Sequence, residues 1–282
     1  MEFRTVGVLG CGLMGAGIAQ VCAQSGYRTI VREVDDALVS AGLGRIEKFL
    51  AVGVKRGKLT AEDKVHALAN LSGSIRFEDL AGCDIIIEAI VENVEAKRQA
   101  FTTLEPIIGR DTIFASNTSS LCITELASTT KRVDRFVGLH FFSPVPLMKL
   151  VEVIRGLTTS VETYNDVFEF AKSLGKEPVT APDRPGFIAN RLLIPYLLDA
   201  VRAYESGLGT IEDIDKTMTL GCGHPMGPFT LLDFVGLDTT YYIANIMYAE
   251  FRDPVYAPPP LLKRMVLAGR YGRKSGRGFY TY

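Results

Sequence analysis

The stretch "TVGVLGCGLMGAGIAQVCAQSGYRTIVRE", residues 5–33, decides the fold of the first half of the chain. Its valine-rich start predicts a strand over 5–9, because a short continuous apolar run is typical of a strand buried on both faces. A glycine turn follows, then good helix formers over 16–25, which Gly26 is placed to end. A second short strand is predicted over 29–33. Two strands joined by a helix in this order form a parallel βαβ unit.

The turn itself reads "GCGLMG" and spans residues 10–15. In this pattern the first glycine allows the tight turn, the second lets the backbone approach a pyrophosphate, and the third allows close packing of helix on strand. The N-terminus of the helix then offers N–H groups and a positive dipole end to the phosphates. The sequence therefore predicts a dinucleotide site formed by Gly10, Gly12, Leu13, Met14 and Gly15.

The predicted second strand ends in an acid. Glu33 follows Gly15 by 18 residues, close to the spacing of about 20 at which an acid binds the ribose hydroxyls of a dinucleotide. A carboxylate at this position repels a 2′-phosphate, which favours NAD over NADP. The neighbouring Arg32 leaves NADP open, since a reoriented guanidinium could pair with that phosphate. The alternative is an ordinary solvent-facing acid at a strand end.

The rest of the chain predicts an α/β fold followed by helices. Residues 36–72 are charged and helical in composition, with a basic turn, and indicate a helical hairpin inserted in the sheet. Strands are predicted at 83–90, 112–118, 135–141, 150–154 and 177–182, with helices near 93–105, 123–130 and 163–174, which together indicate a doubly wound, mostly parallel sheet. Beyond 183–186 the segments around 211–220, 229–250 and 261–268 look helical. We therefore expect two domains, 1–184 and an all-α domain over 185–282.

Composition excludes several classes of protein. Lys plus Arg is 31 and Asp plus Glu is 32, a net charge of −1 that points to neither nucleic acid nor an acidic membrane surface. The uncharged run 5–27 is too rich in glycine for a membrane span. A basic C-terminal run is more simply a solvated tail than a nucleic-acid site. Five cysteines without a CxxC pair favour a reduced, cytoplasmic protein without a metal site.

The candidate chemistry lies in "GLHFFSPVPLMKLVEVI", residues 138–154. His140 ends a predicted strand, and an imidazole has the right intrinsic acidity to accept a proton from an alcohol near neutral pH. For an isolated histidine, an ordinary hydrogen-bonded core residue would be the simpler interpretation. Glu152 changes that balance, because an acid on an apolar segment needs a partner. The pair predicts an imidazole oriented by a carboxylate.

Two further polar features could join this site. The hydroxyls of "ASNTSSL", residues 115–121, follow a strand and so belong to the edge where ligands of open α/β sheets bind. The same cluster could also be a simple turn and helix cap. Asn190, in the mostly apolar helix start "GFIANRLLI", needs a hydrogen-bond partner, which could equally be another helix.

Seven motifs together resemble the 3-hydroxyacyl-CoA dehydrogenase family over essentially the whole chain. They are "GCGLMGAGIAQ", "EAIVEN", "ASNTSSL", "GLHFFSPVPLMKLVEVI", "PGFIANRLL", "GHPMGP" and "GRKSGRGFY". The resemblance implies a Rossmann-type NAD-binding domain, a helical C-terminal domain through which two copies dimerise, and an acyl-CoA substrate bound in a cleft between the domains. It also implies that His140 is the catalytic base and Glu152 its partner, with Ser119 and Asn190 contacting the substrate.

Further residues acquire roles by the same resemblance. Glu92 and Lys97 match residues near the nicotinamide end of the cofactor, and Asn117 is expected to lie beside it. The tip of the hairpin is expected to bind the CoA phosphates through Lys55, Arg56 and Lys58. An ordinary basic tip exposed to solvent is an equally good interpretation. One position departs from the family, which usually has asparagine where this chain has Ser143. We expect that departure to affect substrate contacts and chain-length preference rather than the reaction type.

The resemblance implies NAD-dependent interconversion of (S)-3-hydroxybutyryl-CoA, or another short-chain 3-hydroxyacyl-CoA, and the 3-oxoacyl-CoA. Two alternatives remain open at this point. One is a dehydrogenase of a hydroxy or sugar acid without CoA on the same fold. The other is a catalytically silent NAD-binding protein, which the presence of all four predicted catalytic residues argues against.

Overall fold

The opening stretch forms the predicted βαβ unit in a computed structural model that describes residues 2–282. It comprises β1 (Thr5–Leu9), α1 (Leu13–Gln24) and β2 (Arg28–Arg32), and the two strands pair in parallel. Four of the five residues of β1 are buried, as expected of a strand covered on both faces. The helix begins at Leu13 rather than at the predicted residue 16, because Gly12 is extended and serves as its N-cap.

The inserted hairpin consists of α2 (Asp36–Lys55) and α3 (Ala61–Ala69). Asp35 caps α2, and Thr60 caps α3 through a capping box with Asp63. The prediction of helix up to residue 72 is wrong at its end, where β3 (Leu71–Ser74) pairs in parallel with β2. This strand escaped prediction because "LSGS" has one apolar residue and lies at the edge of the sheet.

The remaining elements of the first half alternate as predicted. They are β4 (Ile85–Glu88), α4 (Val94–Leu104), β5 (Ile113–Ser116), α5 (Ile123–Ala127), β6 (Phe136–Phe141), β7 (Leu150–Arg155), α6 (Val161–Ser173) and β8 (Glu177–Pro182), with short 3-10 helices at Glu78–Leu80 and Val133–Arg135. The eight strands form one sheet in the order β3-β2-β1-β4-β5-β6-β7-β8. The strand order reverses direction between β1 and β4, which is where ligands of open α/β sheets bind.

Strand direction determines which residues can meet. Every neighbouring pair in the sheet is parallel except β6 with β7, which is antiparallel. The carboxyl ends of β1, β2, β4, β5 and β6 therefore lie along one edge of the sheet, and β7 starts at that same edge. In the antiparallel register His140 lies directly opposite Glu152. Directly opposite residues point to the same face of a sheet, so the two side chains are brought together.

The first compact unit extends to Asp183, and a second runs from Arg184 to Tyr282. The second unit consists of α7 (Ala189–Glu205), α8 (Ile211–Cys222), α9 (Pro228–Val235), α10 (Leu237–Phe251) and α11 (Pro260–Leu267), with short 3-10 helices at Pro254–Tyr256 and Arg273–Ser275. The helical segment predicted over 229–250 is broken by Gly236, whose φ of +103° an α-helix does not allow.

Two buried acids organise this unit. Asp215 accepts hydrogen bonds from the start of α9, and Asp233 accepts them from the backbone of residues 279 and 280.

No helix within residues 2–282 is both long enough and apolar enough to cross a bilayer. In the same described range, His, Cys, Asp and Glu side chains form no cluster of three or more that could hold a metal ion.

Candidate active site

The three glycines of the turn between β1 and α1 have different surroundings. Gly10 has a φ of +87°, and a Cβ there would lie 2.8 Å from the carbonyl oxygen of Ala89. A Cβ on Gly15 would lie 1.9 Å from the carbonyl oxygen of Gly10, so no other residue allows this close packing of helix on strand. A Cβ on Gly12, by contrast, would meet nothing within 4 Å. The turn thus leaves open space at the one glycine that is predicted to face a pyrophosphate.

The N-terminus of α1 is electrostatically suited to an anion. No acid lies in its first turn, so the positive end of the helix dipole is not neutralised by a side chain. The N–H groups of a first helical turn lack partners within the helix. Leu13 is exposed and Met14 is half-buried. These features fit the phosphates of a dinucleotide.

Glu33 lies next to the glycine turn, directly after β2. Its Oε1 accepts a hydrogen bond of 2.6 Å from the backbone N–H of Cys11, so the carboxylate is held beside the turn. The Arg32 guanidinium lies elsewhere: it is 3.8 Å from the centre of the Phe77 ring, and its Nε donates to the carbonyl oxygen of Ile75 at 3.2 Å. The acid is therefore held beside the glycine turn, as its predicted ribose-binding role requires, while the arginine contacts the segment that follows β3.

The predicted pair of His140 and Glu152 forms in the sheet. The Nδ1 of His140 lies 2.7 Å from Oε2 of Glu152, and both side chains are buried. A carboxylate can only accept, so Nδ1 carries the hydrogen and the lone pair of the neutral ring lies on Nε2. The imidazole also packs against the Phe142 ring, with ring centres 4.5 Å apart. This arrangement fixes both the tautomer and the orientation of the ring, as a general base requires.

Asn117 connects the ends of two strands beside this pair. Its backbone N–H donates to the carbonyl oxygen of Glu88 at 2.8 Å, and its side-chain Oδ1 accepts from the backbone N–H of Phe141 at 2.8 Å. The carboxyl ends of β4, β5 and β6 are thereby joined next to His140. The structure thus gives Asn117 a clear scaffolding contact in addition to its predicted role near the cofactor.

Glu92 organises the serine-rich turn that follows β5. Its Oε1 accepts from the hydroxyl of Thr118, from the backbone N–H of Ser119 at 3.0 Å and from the hydroxyl of Ser120 at 3.1 Å. Burial alone would raise the pKa of Glu92, but the positive charge of Lys97 and these hydrogen bonds lower it below its ordinary value. Glu92 is therefore an ionised acceptor that shapes the turn carrying Ser119.

Glu88, at the end of β4, is a buried acid that the sequence analysis did not single out. Lys97 places its ammonium 2.5 Å from Oε1 of Glu88 and 3.0 Å from Oε2 of Glu92, with 1% of the lysine side chain exposed. Burial opposes the charge of Lys97, but the two carboxylates outweigh it and raise its pKa. Burial raises the pKa of Glu88 despite the lysine. The signal for Glu88 was present in the sequence as an acid that ends the apolar run "III", residues 85–87.

The other predicted residues lie at the tip of the hairpin, in the connection after β6, or in the second unit. Lys55 and Arg56 are exposed at the end of α2, at the tip of the hairpin. Ser143 is exposed in the connection between β6 and β7. Asn190 is half-buried near the start of α7 and belongs to the second unit. The first unit thus brings together the glycine turn, Glu33, the serine turn and the His–Glu pair along one edge of its sheet.

A Rossmann-type sheet with a glycine turn, an acid after its second strand and an oriented histidine is typical of nucleotide-dependent oxidoreductases. Residues 5–184 match the sequence profile "3-hydroxyacyl-CoA dehydrogenase, NAD binding domain", and residues 186–282 match "3-hydroxyacyl-CoA dehydrogenase, C-terminal domain". The chain belongs to the 3-hydroxyacyl-CoA dehydrogenase family, and it is an NAD-dependent oxidoreductase.

Individual relatives are similar to this chain over at least 91% of their length. The chain is 48% identical over 281 residues to the 3-hydroxybutyryl-CoA dehydrogenase of Mycobacterium tuberculosis, covering 99% of this chain and 98% of the relative. It is 46% identical to the human mitochondrial hydroxyacyl-coenzyme A dehydrogenase, covering 99% and 91% of the two chains. The crystal structure of (S)-3-hydroxybutyryl-CoA dehydrogenase from Ralstonia eutropha superposes with a TM-score of 0.96 at 47% identity, covering 100% of this chain and 99% of the other.

The different environments of Gly12 and Gly15 predict different effects of the same substitution. Gly12→Ala should leave the melting temperature within about 2 °C of the wild type, since the added methyl meets nothing in the chain, but should weaken NADH binding at least about tenfold if the pyrophosphate approaches there. Gly15→Ala should destabilise the protein by about 1–3 kcal/mol through overpacking. Thermal unfolding and NADH fluorescence titration measure both effects. A Gly12→Ala protein with normal NADH affinity would contradict this interpretation of the turn.

Proposed function

We propose that the protein interconverts (S)-3-hydroxybutyryl-CoA, or other short-chain 3-hydroxyacyl-CoA, and the 3-oxoacyl-CoA with NAD. The observation that carries the proposal is the buried His140–Glu152 pair at the same sheet edge as the glycine turn. The names of the full-length relatives in Mycobacterium tuberculosis and Ralstonia eutropha support the substrate class.

His140 acts as the general base of this proposal. Because Nδ1 is bound to Glu152, Nε2 is the nitrogen that accepts the proton of the substrate hydroxyl. Glu152 holds the ring in place and stabilises the imidazolium that forms, and in the reverse direction the same imidazolium returns the proton to the carbonyl oxygen. The cofactor, when bound, supplies the hydride acceptor. The NAD phosphates are assigned to the residues of the glycine turn and to the N-terminus of α1, and the ribose to Glu33.

Substrate contacts are assigned to residues that the family motifs mark. Ser119 and Asn190 are proposed to bind the reacting oxygen and the thioester, which fixes the substrate in a reactive orientation. Glu92 and Lys97 are proposed to lie near the nicotinamide, together with Asn117. The exposed, basic Lys55 and Arg56 are proposed to contact the CoA phosphates, for which a positive surface is suited. Exposed Ser143 is proposed to contribute to chain-length preference.

We further place the protein in the cytoplasm. All five of its cysteines lack a disulfide. Burial raises the pKa of the Cys11 thiol to about 11 and that of the Cys83 thiol to about 12, so these groups stay protonated and unreactive. Unpaired thiols of this kind support a reducing compartment.

We also propose that two copies associate through the second unit. Four leucines of this unit are between 72% and 78% exposed: Leu192, Leu208, Leu220 and Leu267. Four largely exposed leucines within the smaller unit support an interaction surface there.

Light scattering at micromolar concentration should therefore give a mass of about twice the 30.8 kDa chain. Replacing the four leucines together by glutamate should reduce that mass to one chain, because each buried leucine contributes about 1.5–3 kcal/mol. Leu157→Glu, at an 88% exposed leucine of the first unit, is the matched control and should leave the dimer intact. A single-chain mass for the wild-type protein would refute the dimer.

His140→Gln should lower kcat by about 10²–10⁴-fold with NADH affinity preserved, because it removes the base without touching the glycine turn. Glu152→Gln should lower kcat by at least about tenfold, since the carboxamide no longer stabilises the imidazolium. Initial rates of NADH oxidation with acetoacetyl-CoA measure both. Glu177→Gln on β8, where the acid is exposed and 3.5 Å from Lys149, is the control and should be as active as the wild type. A His140→Gln enzyme within about twofold of the wild-type rate would rule out this assignment.

A further inference from the structure

Glu88 is the most buried of the three charged groups beside the serine turn. Its side chain has 0% exposure at the end of β4. Oε1 accepts from the Lys97 ammonium at 2.5 Å and from the backbone N–H of Ile90 at 2.8 Å, while Oε2 accepts from the Ser116 hydroxyl at 2.6 Å. Hydrogen bonds to β5, α4 and the segment after β4 therefore fix the orientation of this carboxylate.

Two routes lead from Glu88 to the turn that carries Ser119. In the first, Lys97 bridges Glu88 to Glu92, which accepts the backbone N–H of Ser119 at 3.0 Å. In the second, the Ser116 hydroxyl donates to Glu88 and itself accepts the backbone N–H of Thr118 at 3.3 Å. Both routes end in adjacent backbone N–H groups of the same turn. Glu88 thus constrains the turn without contacting Ser119 itself.

The charges explain why two carboxylates are needed around one lysine. A buried ammonium that lost one partner would be drawn to the other, since an incompletely paired buried charge is strongly destabilising. Without the charge of Glu88, Lys97 would approach Glu92 more closely and pull its carboxylate away from the turn. Ser119 would then move with the backbone to which Glu92 is bound.

We propose that Glu88 is a positioning residue for the dehydrogenase reaction, acting through Lys97, Glu92 and Ser116 on the turn that carries Ser119. This inference rests on the proposed function, because Ser119 is a substrate contact only if that function holds. A completely buried acid such as Glu88 would otherwise be regarded as purely structural. The inference assigns it a positioning role in the reaction as well.

Glu88→Gln tests this directly, because glutamine keeps the shape and removes the charge. We expect kcat per NADH-binding site to fall about 10- to 100-fold and the KM for acetoacetyl-CoA to rise, as for a displacement of about 1 Å in a reacting group. NADH fluorescence titration counts the sites. If Glu88 is merely structural, the variant protein will have fewer NADH-binding sites, but its kcat per site and its KM will equal those of the wild type.

Two further variants keep the test decisive. Ser116→Ala breaks only the second route and should lower kcat per site about two- to tenfold. This variant tests the positioning role even if Glu88→Gln fails to fold. Asp84→Asn is the matched control at the opposite end of β4, where Asp84 accepts from the backbone N–H groups of Arg4 and Thr5. It should leave kcat per site within about twofold of the wild type, even if stability falls.

The outcomes separate this inference from the proposed function. If the wild-type protein does not turn over acetoacetyl-CoA, the proposed function fails before any variant is compared. If the wild type is active and Glu88→Gln has the wild-type kcat per site and the wild-type KM, the positioning role is refuted and the proposed function stands. If Glu88→Gln does not fold, wild-type kinetics in Ser116→Ala refute the positioning role in the same way.

Discussion

A hydrogen bond of 2.7 Å between two buried side chains, His140 and Glu152, is the constraint on which the proposed chemistry of this protein depends. A buried carboxylate is costly unless it is paired, and a histidine is useful as a base only if its tautomer and orientation are fixed. The sheet meets both demands by running β7 antiparallel to β6 within an otherwise parallel arrangement. That reversal places the two residues opposite each other on one face, at the edge where the parallel strands end.

The same edge carries two further electrostatic features on either side of the reversal in strand order. At the end of β1, the positive N-terminus of α1 has no acid in its first turn. At the end of β4, a buried lysine lies between Glu88 and Glu92. The first suits the phosphates of NAD, and the second shapes the serine turn next to the predicted position of the nicotinamide. In the proposed site, the binding of the cofactor phosphates and the positioning of the reacting groups are therefore assigned to different strand ends.

Much of the fold and of the candidate site could be predicted from the sequence, wherever a residue pattern has one physical explanation. The glycines at 10, 12 and 15 required a turn against a strand, and an acid within "LVEVI" required a partner. The edge strand β3 could not be predicted, because "LSGS" lacks the apolar pattern of a strand and is held by its pairing with β2. The break at Gly236 and the role of Glu88 depend on backbone conformation and on contacts from other elements, which composition does not reveal. The functional roles of all the predicted site residues remain predictions, those of His140 and Glu152 as much as those of Ser119, Asn190, Lys55, Arg56 and Ser143.

The most direct test of this account is the initial rate of the purified wild-type protein with acetoacetyl-CoA, measured at the NADH absorbance band with NADH and NADPH in parallel. Free acetoacetate serves as the substrate without CoA. The account predicts rapid oxidation of NADH with acetoacetyl-CoA, formation of the (S)-3-hydroxy product, and slower reactions with NADPH and with free acetoacetate. Equal rates with acetoacetate, or no oxidation of either cofactor with acetoacetyl-CoA, would contradict it.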